Sequence, residues 1–134
     1  MSIRDYRPED FESVKAIHEA SEIDYKMPDL NSPLFLVKKV LEVDGVVRAA
    51  YGLRIQVEAY LWLAKGDWAK PREKMDYVKE LDTVSTLAAW MEGVDDCVVY
   101  VPPGMERFGK RIEEELGFSK PRSGWQAFSK ATGR

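Results

Sequence analysis

Cysteine occurs once in these 134 residues, at Cys97. One thiol closes no intramolecular disulfide and anchors no zinc cluster. It is followed by an apolar run and preceded by Asp95 and Asp96, acids that favour the neutral thiol, so it reads as a core residue. Histidine also occurs once, at His18. It stands on the margin of an apolar helical stripe, where a structural or surface role is expected rather than catalysis. No apolar run approaches the roughly 20 residues of a membrane-spanning helix. Residues 1–10 carry charges where a signal peptide needs an apolar stretch, so a cytoplasmic location and no membrane partner are expected. A basic surplus is lacking too. Twenty Lys and Arg face 23 Asp and Glu, a net charge of −3, and no nucleic-acid partner is expected. Internal repeats and low-complexity stretches are absent.

What is present is an ordinary globular balance, 45% hydrophobic and 32% charged, at a length that suits a single domain over 1–134. Residues 2–7 alternate as a short strand, with Ile3 and Tyr6 as inward candidates. Pro8-Glu9-Asp10 opens a helix in which Phe11, Val14, Ile17 and Ala20 recur at helical spacing to about Ser21. Residues 22–33 read as loop or short helix because of Pro28, Asn31 and Pro33. Residues 34–43 and 46–54 form a hairpin around Asp44-Gly45, and residues 55–63 extend it to an antiparallel meander. A polar loop at 65–70 leads to Pro71, where a long helix starts and runs to Gly93.

That helix carries Tyr77, Leu81, Val84, Ala88 and Met91 along one face, and Trp90 near it. Cys97–Val101 reads as a buried strand. Met105, Phe108, Ile112 and Leu116 mark a last helix that stops at Gly117, and residues 125–129 are a candidate final strand after a turn at 121–124. The expected core joins Val98, Tyr100, Phe108, Ile112 and Leu116 to Leu61, Leu63, Leu81 and Val84. The expected class is α/β (α+β), a mixed, mostly antiparallel sheet with helices on both faces. Arg107, Lys110, Arg111, Glu113 and Glu114 are read as a solvated helix face.

Three stretches together carry a family resemblance over nearly the whole chain. These are Ile3-Arg4-Asp5-Tyr6-Arg7-Pro8-Glu9-Asp10-Phe11, the hairpin Val43-Asp44-Gly45-Val46-Val47, and Leu116-Gly117-Phe118 after an amphipathic helix. In this order and spacing the chain resembles the GCN5-related N-acetyltransferases (GNAT). The resemblance implies a cleft where the fourth and fifth strands splay, between residues 56–63 and 97–101. It also implies that acetyl-CoA docks its pyrophosphate where the long helix begins, and that the acetyl group passes to a small-molecule or peptide amine. On that reading Glu58 is the general base and Tyr100 stands in for the general acid. Trp62, Leu63, Trp68, Lys70, Arg72 and Lys74 line or hold the coenzyme, no metal takes part, and a homodimer is possible.

Two departures keep a second reading open. The family places spaced glycines at the phosphate loop, whereas this chain has Trp68-Ala69-Lys70-Pro71-Arg72-Glu73-Lys74-Met75, without glycine and with a proline that offers no N–H. Lys65, Lys70, Arg72 and Lys74 remain to hold phosphate through side chains. The family's tyrosine before Gly-Phe is replaced, its position matching Glu113, and the asparagine position matches Glu106. The alternative is therefore a GNAT-like binding or structural protein without acetyl transfer, with Glu58 an ordinary outward strand residue and Trp62 and Trp68 capping a core edge. A side-chain-built phosphate site at 65–74 for another nucleotide-like ligand is a third reading.

Overall fold

The computed structural model describes residues 1–23, 25–121 and 124–133. Among them the strands are β1 (Ser2–Asp5), β2 (Phe35–Val43), β3 (Val46–Arg54), β4 (Val57–Glu58) and β5 (Cys97–Val98). The helices are α1 (Phe11–Ala20), α2 (Pro71–Met91) and α3 (Glu106–Leu116), and Pro8–Asp10 is a 3-10 turn leading into α1. This is a mixed α/β fold, with an antiparallel sheet β1-β2-β3 and a two-stranded parallel sheet β4-β5. By contacts the chain divides into two compact units. One comprises Met1–Glu58 with Ala89–Val98, the other Ala59–Ala88 with Val99–Arg134.

The first unit is built on a hairpin. Asp44 and Gly45 both take positive φ, 53° and 77°, as a turn of type I′ demands, and β2 and β3 begin pairing at Val43 and Val46. The register slips at Leu36 and again at Arg48, each an extra residue of the bulge type. Gly52 lies beneath the Phe35 ring, where an added Cβ would sit 2.9 Å from the ring edge. Val40, 1% exposed at the centre of β2, and Leu34 are the buried hydrophobic side chains of this unit. Helix α1 lies against β3.

Four expectations fail in or at the edge of this unit, and the first two have a visible physical reason. Ile3 points outward and is 68% exposed, while Arg4 in β1 and Tyr6 just after it are half-buried. The inward Arg4 guanidinium binds both carboxylate oxygens of Asp10 at 2.8 Å and Glu42 at 2.8 Å, so an ion network occupies the position assigned to an aliphatic side chain. The expected strand over 55–63 contracts to Val57–Glu58. It does not extend the meander, because its backbone pairs in parallel with β5 through Val57–Cys97 and Glu58–Val98. Trp90 is exposed rather than core, and Cys97 is half-buried.

The second unit is helical. Pro71 begins α2, and α3 ends where Gly117 takes φ 79° and donates its N–H to the Ile112 carbonyl. Its buried hydrophobic side chains are Met75 and Val78 on α2 and Ile112 on α3. Glu115 of α3 accepts Arg72 at 3.1 Å and lies 3.3 Å from Lys79. Arg72, Met75 and Lys79 stand at i, i+3 and i+7 on α2, one stripe along the helix. The ion pairs and the apolar burial therefore select the same face.

That face differs from the one expected. Leu81 and Val84 are 56% and 63% exposed, and Tyr77 and Met91 are exposed with them. Tyr100, Leu61 and Leu63 are likewise exposed, while Val98, Phe108 and Leu116 are half-buried, so of the expected core only Ile112 is fully buried. The strand expected at Cys97–Val101 stops at Val98 for want of a longer partner. Residues 125–129 join no sheet, and Trp125 and Phe128 are exposed. The turn expected at 121–124 includes Arg122 and Ser123, which lie outside the described residues. No helix among the described residues is long and apolar enough to cross a membrane.

Candidate functional site

The residues assigned to coenzyme binding gather in the second unit, around the start of α2. Lys70 is the cap residue, and its backbone N–H donates to Glu73 Oε1 at 3.2 Å. A carboxylate three positions into a helix commonly reaches back to the cap in this way. Here it places the protein's own negative charge at the helix end where an external phosphate would dock. Arg72 is committed as well. Its two nitrogens reach both carboxylate oxygens of Glu115, at 3.1 and 3.4 Å, and it also binds Asp76 at 3.1 Å. Glu115 first and Asp76 after it raise the Arg72 pKa, and Arg72 followed by Lys79 pulls the Glu115 carboxyl below its ordinary range.

Lys74 turns back onto the preceding loop. Its ammonium donates to the Gly66 carbonyl and stands 5.3 Å from the centre of the Trp68 ring, a cation–π arrangement. Trp68 is held from two further sides. Its indole N–H donates to the Ala64 carbonyl at 3.0 Å, and its ring stacks on Tyr77 at 6.1 Å with 16° between planes. Trp62, 85% exposed, stacks on Tyr60 at 5.8 Å and 13°. Leu63 follows it, exposed. The segment therefore presents stacked aromatic rings to solvent, with Arg72 and Lys74 engaged. Among the described residues Lys70 has no carboxylate partner for its side chain.

The catalytic candidates fall elsewhere. Glu58 closes β4 in the first unit, opposite Val98, exposed and without an ion-pair partner among the described residues. Tyr100, also exposed, belongs to the second unit. Among the described residues no group of three or more His, Cys, Asp or Glu could hold a metal ion.

Two features escaped the sequence reading. Glu115 as the counter-charge to Arg72 and Lys79 is a contact across 43 residues with no local signal. The inward network Arg4–Asp10–Glu42 is equally non-local at Glu42. Arg4 first, then the Arg7 backbone N–H at 2.8 Å, lowers the Asp10 pKa to about 2. Arg4 also lowers that of Glu42. Glu73 was visible as a negative charge near the expected phosphate position, but its contact with the Lys70 backbone N–H at 3.2 Å was not.

Comparison with protein-family models, with the curated proteins and with the solved structures finds no match to this chain.

Proposed function

We propose that this chain is a GNAT-like binding module without acetyl transfer, and that its aromatic segment after the fourth strand serves a protein partner. One observation carries the reading. Where the resemblance would have a coenzyme pyrophosphate dock, the chain supplies its own carboxylates, Glu73 on the Lys70 N–H and Glu115 on Arg72. A coenzyme phosphate would have to displace both, against backbone already lacking a donor at Pro71. The element order, with a β1-β2-β3 antiparallel sheet and a helix connecting parallel β4 and β5, supports the GNAT-like part. Exposed, pre-stacked tyrosine and tryptophan rings support the binding part, since such side chains dominate protein contacts at small cost in side-chain freedom. Calorimetric titration with acetyl-CoA tests it. No saturable heat up to about 1 mM, the weak end of useful affinity, is the expected result.

A second reading, acetyl transfer from acetyl-CoA to an amine, has one observation in its favour. The parallel pair β4-β5 holds for two rungs only, with Glu58 at the last of them, as a splayed cleft with a base at its edge would require. Lys70 and Arg72 would then grip the coenzyme through side chains, and binding should weaken sharply with salt. A transfer assay reading release of free thiol, across small-molecule and lysine-peptide acceptors, separates the two. Turnover that falls about 10²–10⁴-fold in Glu58→Gln, with coenzyme affinity kept, would install this reading over the first.

A further inference from the structure

The first unit holds an open cavity of about 540 Å³ between α1 and residues 26–31. The size lies within the roughly 300–1,000 Å³ of small-molecule sites. Phe11 and Lys15 reach it from α1, four residues apart and so on one helix face. Met27, Pro28 and Leu30 supply an apolar wall opposite, and Lys26 stands with them.

The loop that makes this wall is pinned at both ends. His18, next on the same α1 stripe, donates its Nε2–H to the Tyr25 carbonyl at 3.0 Å and packs edge-on against the Tyr25 ring. At the far end Lys38 of β2 donates to the Leu30 carbonyl at 2.5 Å. Around the second pin the Asn31 N–H donates to Asp29 Oδ1 at 2.9 Å, and the Ser32 N–H to the Asp29 carbonyl at 3.1 Å. A loop held by side chains from a helix and a strand gives a wall of fixed position, the condition for a preformed site.

The charge of the lining is unbalanced. Lys15 and Lys26 have no ion-pair partner among the described residues, and the one lining carboxylate, Asp29, already accepts the Asn31 N–H. A lining that combines apolar side chains, two lysines without an ion-pair partner among the described residues and one engaged carboxylate suits a molecule with a single negative charge on an apolar body.

We propose that this cavity binds a small amphipathic carboxylate. The acid group lies between Lys15 and Lys26, and its aromatic or aliphatic body covers Phe11, Met27 and Leu30. The site shares no residue with the α2 segment, so it stands or falls apart from either reading of that segment.

Three probes of one shape and three charges test it on the full chain: 4-phenylbutyrate, 4-phenylbutanol and 4-phenylbutylamine, followed by side-chain NMR of Phe11, Met27 and Leu30. The carboxylate should saturate these signals, binding about tenfold more tightly than the alcohol, as two exposed charge contacts allow. The amine should bind more weakly still. In the double variant Lys15→Glu/Lys26→Glu the order should reverse in favour of the amine. Both lysines are exposed, and unchanged amide signals along β2 certify that the variant is folded. Equal binding of acid and alcohol, a double variant that still prefers the acid, or no saturable shift with any probe would overturn the assignment.

Discussion

Each unit of this molecule is tied together by an arginine set between carboxylates, and the two ties differ in exposure. The Arg4 side chain is 20% exposed and faces Asp10 at 8%. The Arg72 side chain is 60% exposed, facing Glu115 at 24% and Asp76 at 58%. Distances are alike, from 2.8 to 3.1 Å for the leading pairs. Geometry alone would rank the two ties together. Water screens the second far more than the first, so the same chemical arrangement contributes differently to the two units. The sheet unit adds a paired register over eight rows of β2 and β3, while the helical unit rests on three buried hydrophobic side chains.

The largest effects should come from emptying the buried positions, and they sharpen the comparison by giving each unit a reference. Leu34→Ala in the first unit and Ile112→Ala in the second should each cost about 2–5 kcal/mol, read as a lower denaturation midpoint in urea. Ile112→Ala should also deprotect α3 amides in hydrogen exchange, and Leu34→Ala those of β2. A loss below about 1 kcal/mol at Ile112, in the range of surface changes, would break the account of how α3 is held.

A smaller effect separates the two arginine ties. The Asp10 carboxyl titrates at about 2 in the folded chain, below its ordinary value near 4. A folded pKa below the unfolded one stabilises the native state above the unfolded value, and that contribution is lost as pH falls. The Asp10 share should therefore be complete above about pH 4 and gone near pH 2. Asp10→Asn should lower the urea midpoint at pH 7 and flatten its fall between these limits. Arg72→Ala, by contrast, should leave the midpoint at pH 7 unmoved. An equal shift in both variants would erase the distinction between a sheltered and a screened network.

How far the sequence announces this structure depends on whether a feature is local. Asp44-Gly45 specifies its turn within two residues, and β3 occupies the expected residues 46–54. Pro71 at the first position of α2 and Gly117 just past the end of α3 bound their helices locally. The choice of partner is not written locally. Alternation over 55–63 announces a strand but says nothing of which edge it joins, and the edge it finds, β5, is two residues long. Inward Arg4 in place of Ile3 depends on Glu42, 38 positions away. At the candidate sites Glu73 was legible as a charge opposing phosphate, whereas its cap on Lys70, the Glu115 contact and the pinned wall at 26–31 arise only from folding.

The smallest expected effect concerns the apolar stripe of α2, where the pattern reading and the structure diverge most. Tyr77, Leu81, Val84, Ala88 and Met91 recur at intervals of four and three, which periodicity alone assigns to a core. A helix, however, buries the face that its partners hold, and here Arg72 and Lys79 bind Glu115 on the stripe that carries Met75. Residue 78 is about 100° around the helix from residue 77, so burying Val78 and Met75 turns Leu81 and Val84 toward water. Removing an exposed side chain creates no cavity and forfeits little area. Leu81→Ala should accordingly change stability by less than about 0.5 kcal/mol, whereas Met75→Ala on the neighbouring stripe should cost about 2–5 kcal/mol. The pair of urea midpoints decides the rotation of this helix. A Leu81→Ala loss as large as that of Met75→Ala would mean that the stripe is covered in solution and that α2 is held by the face its periodicity marks.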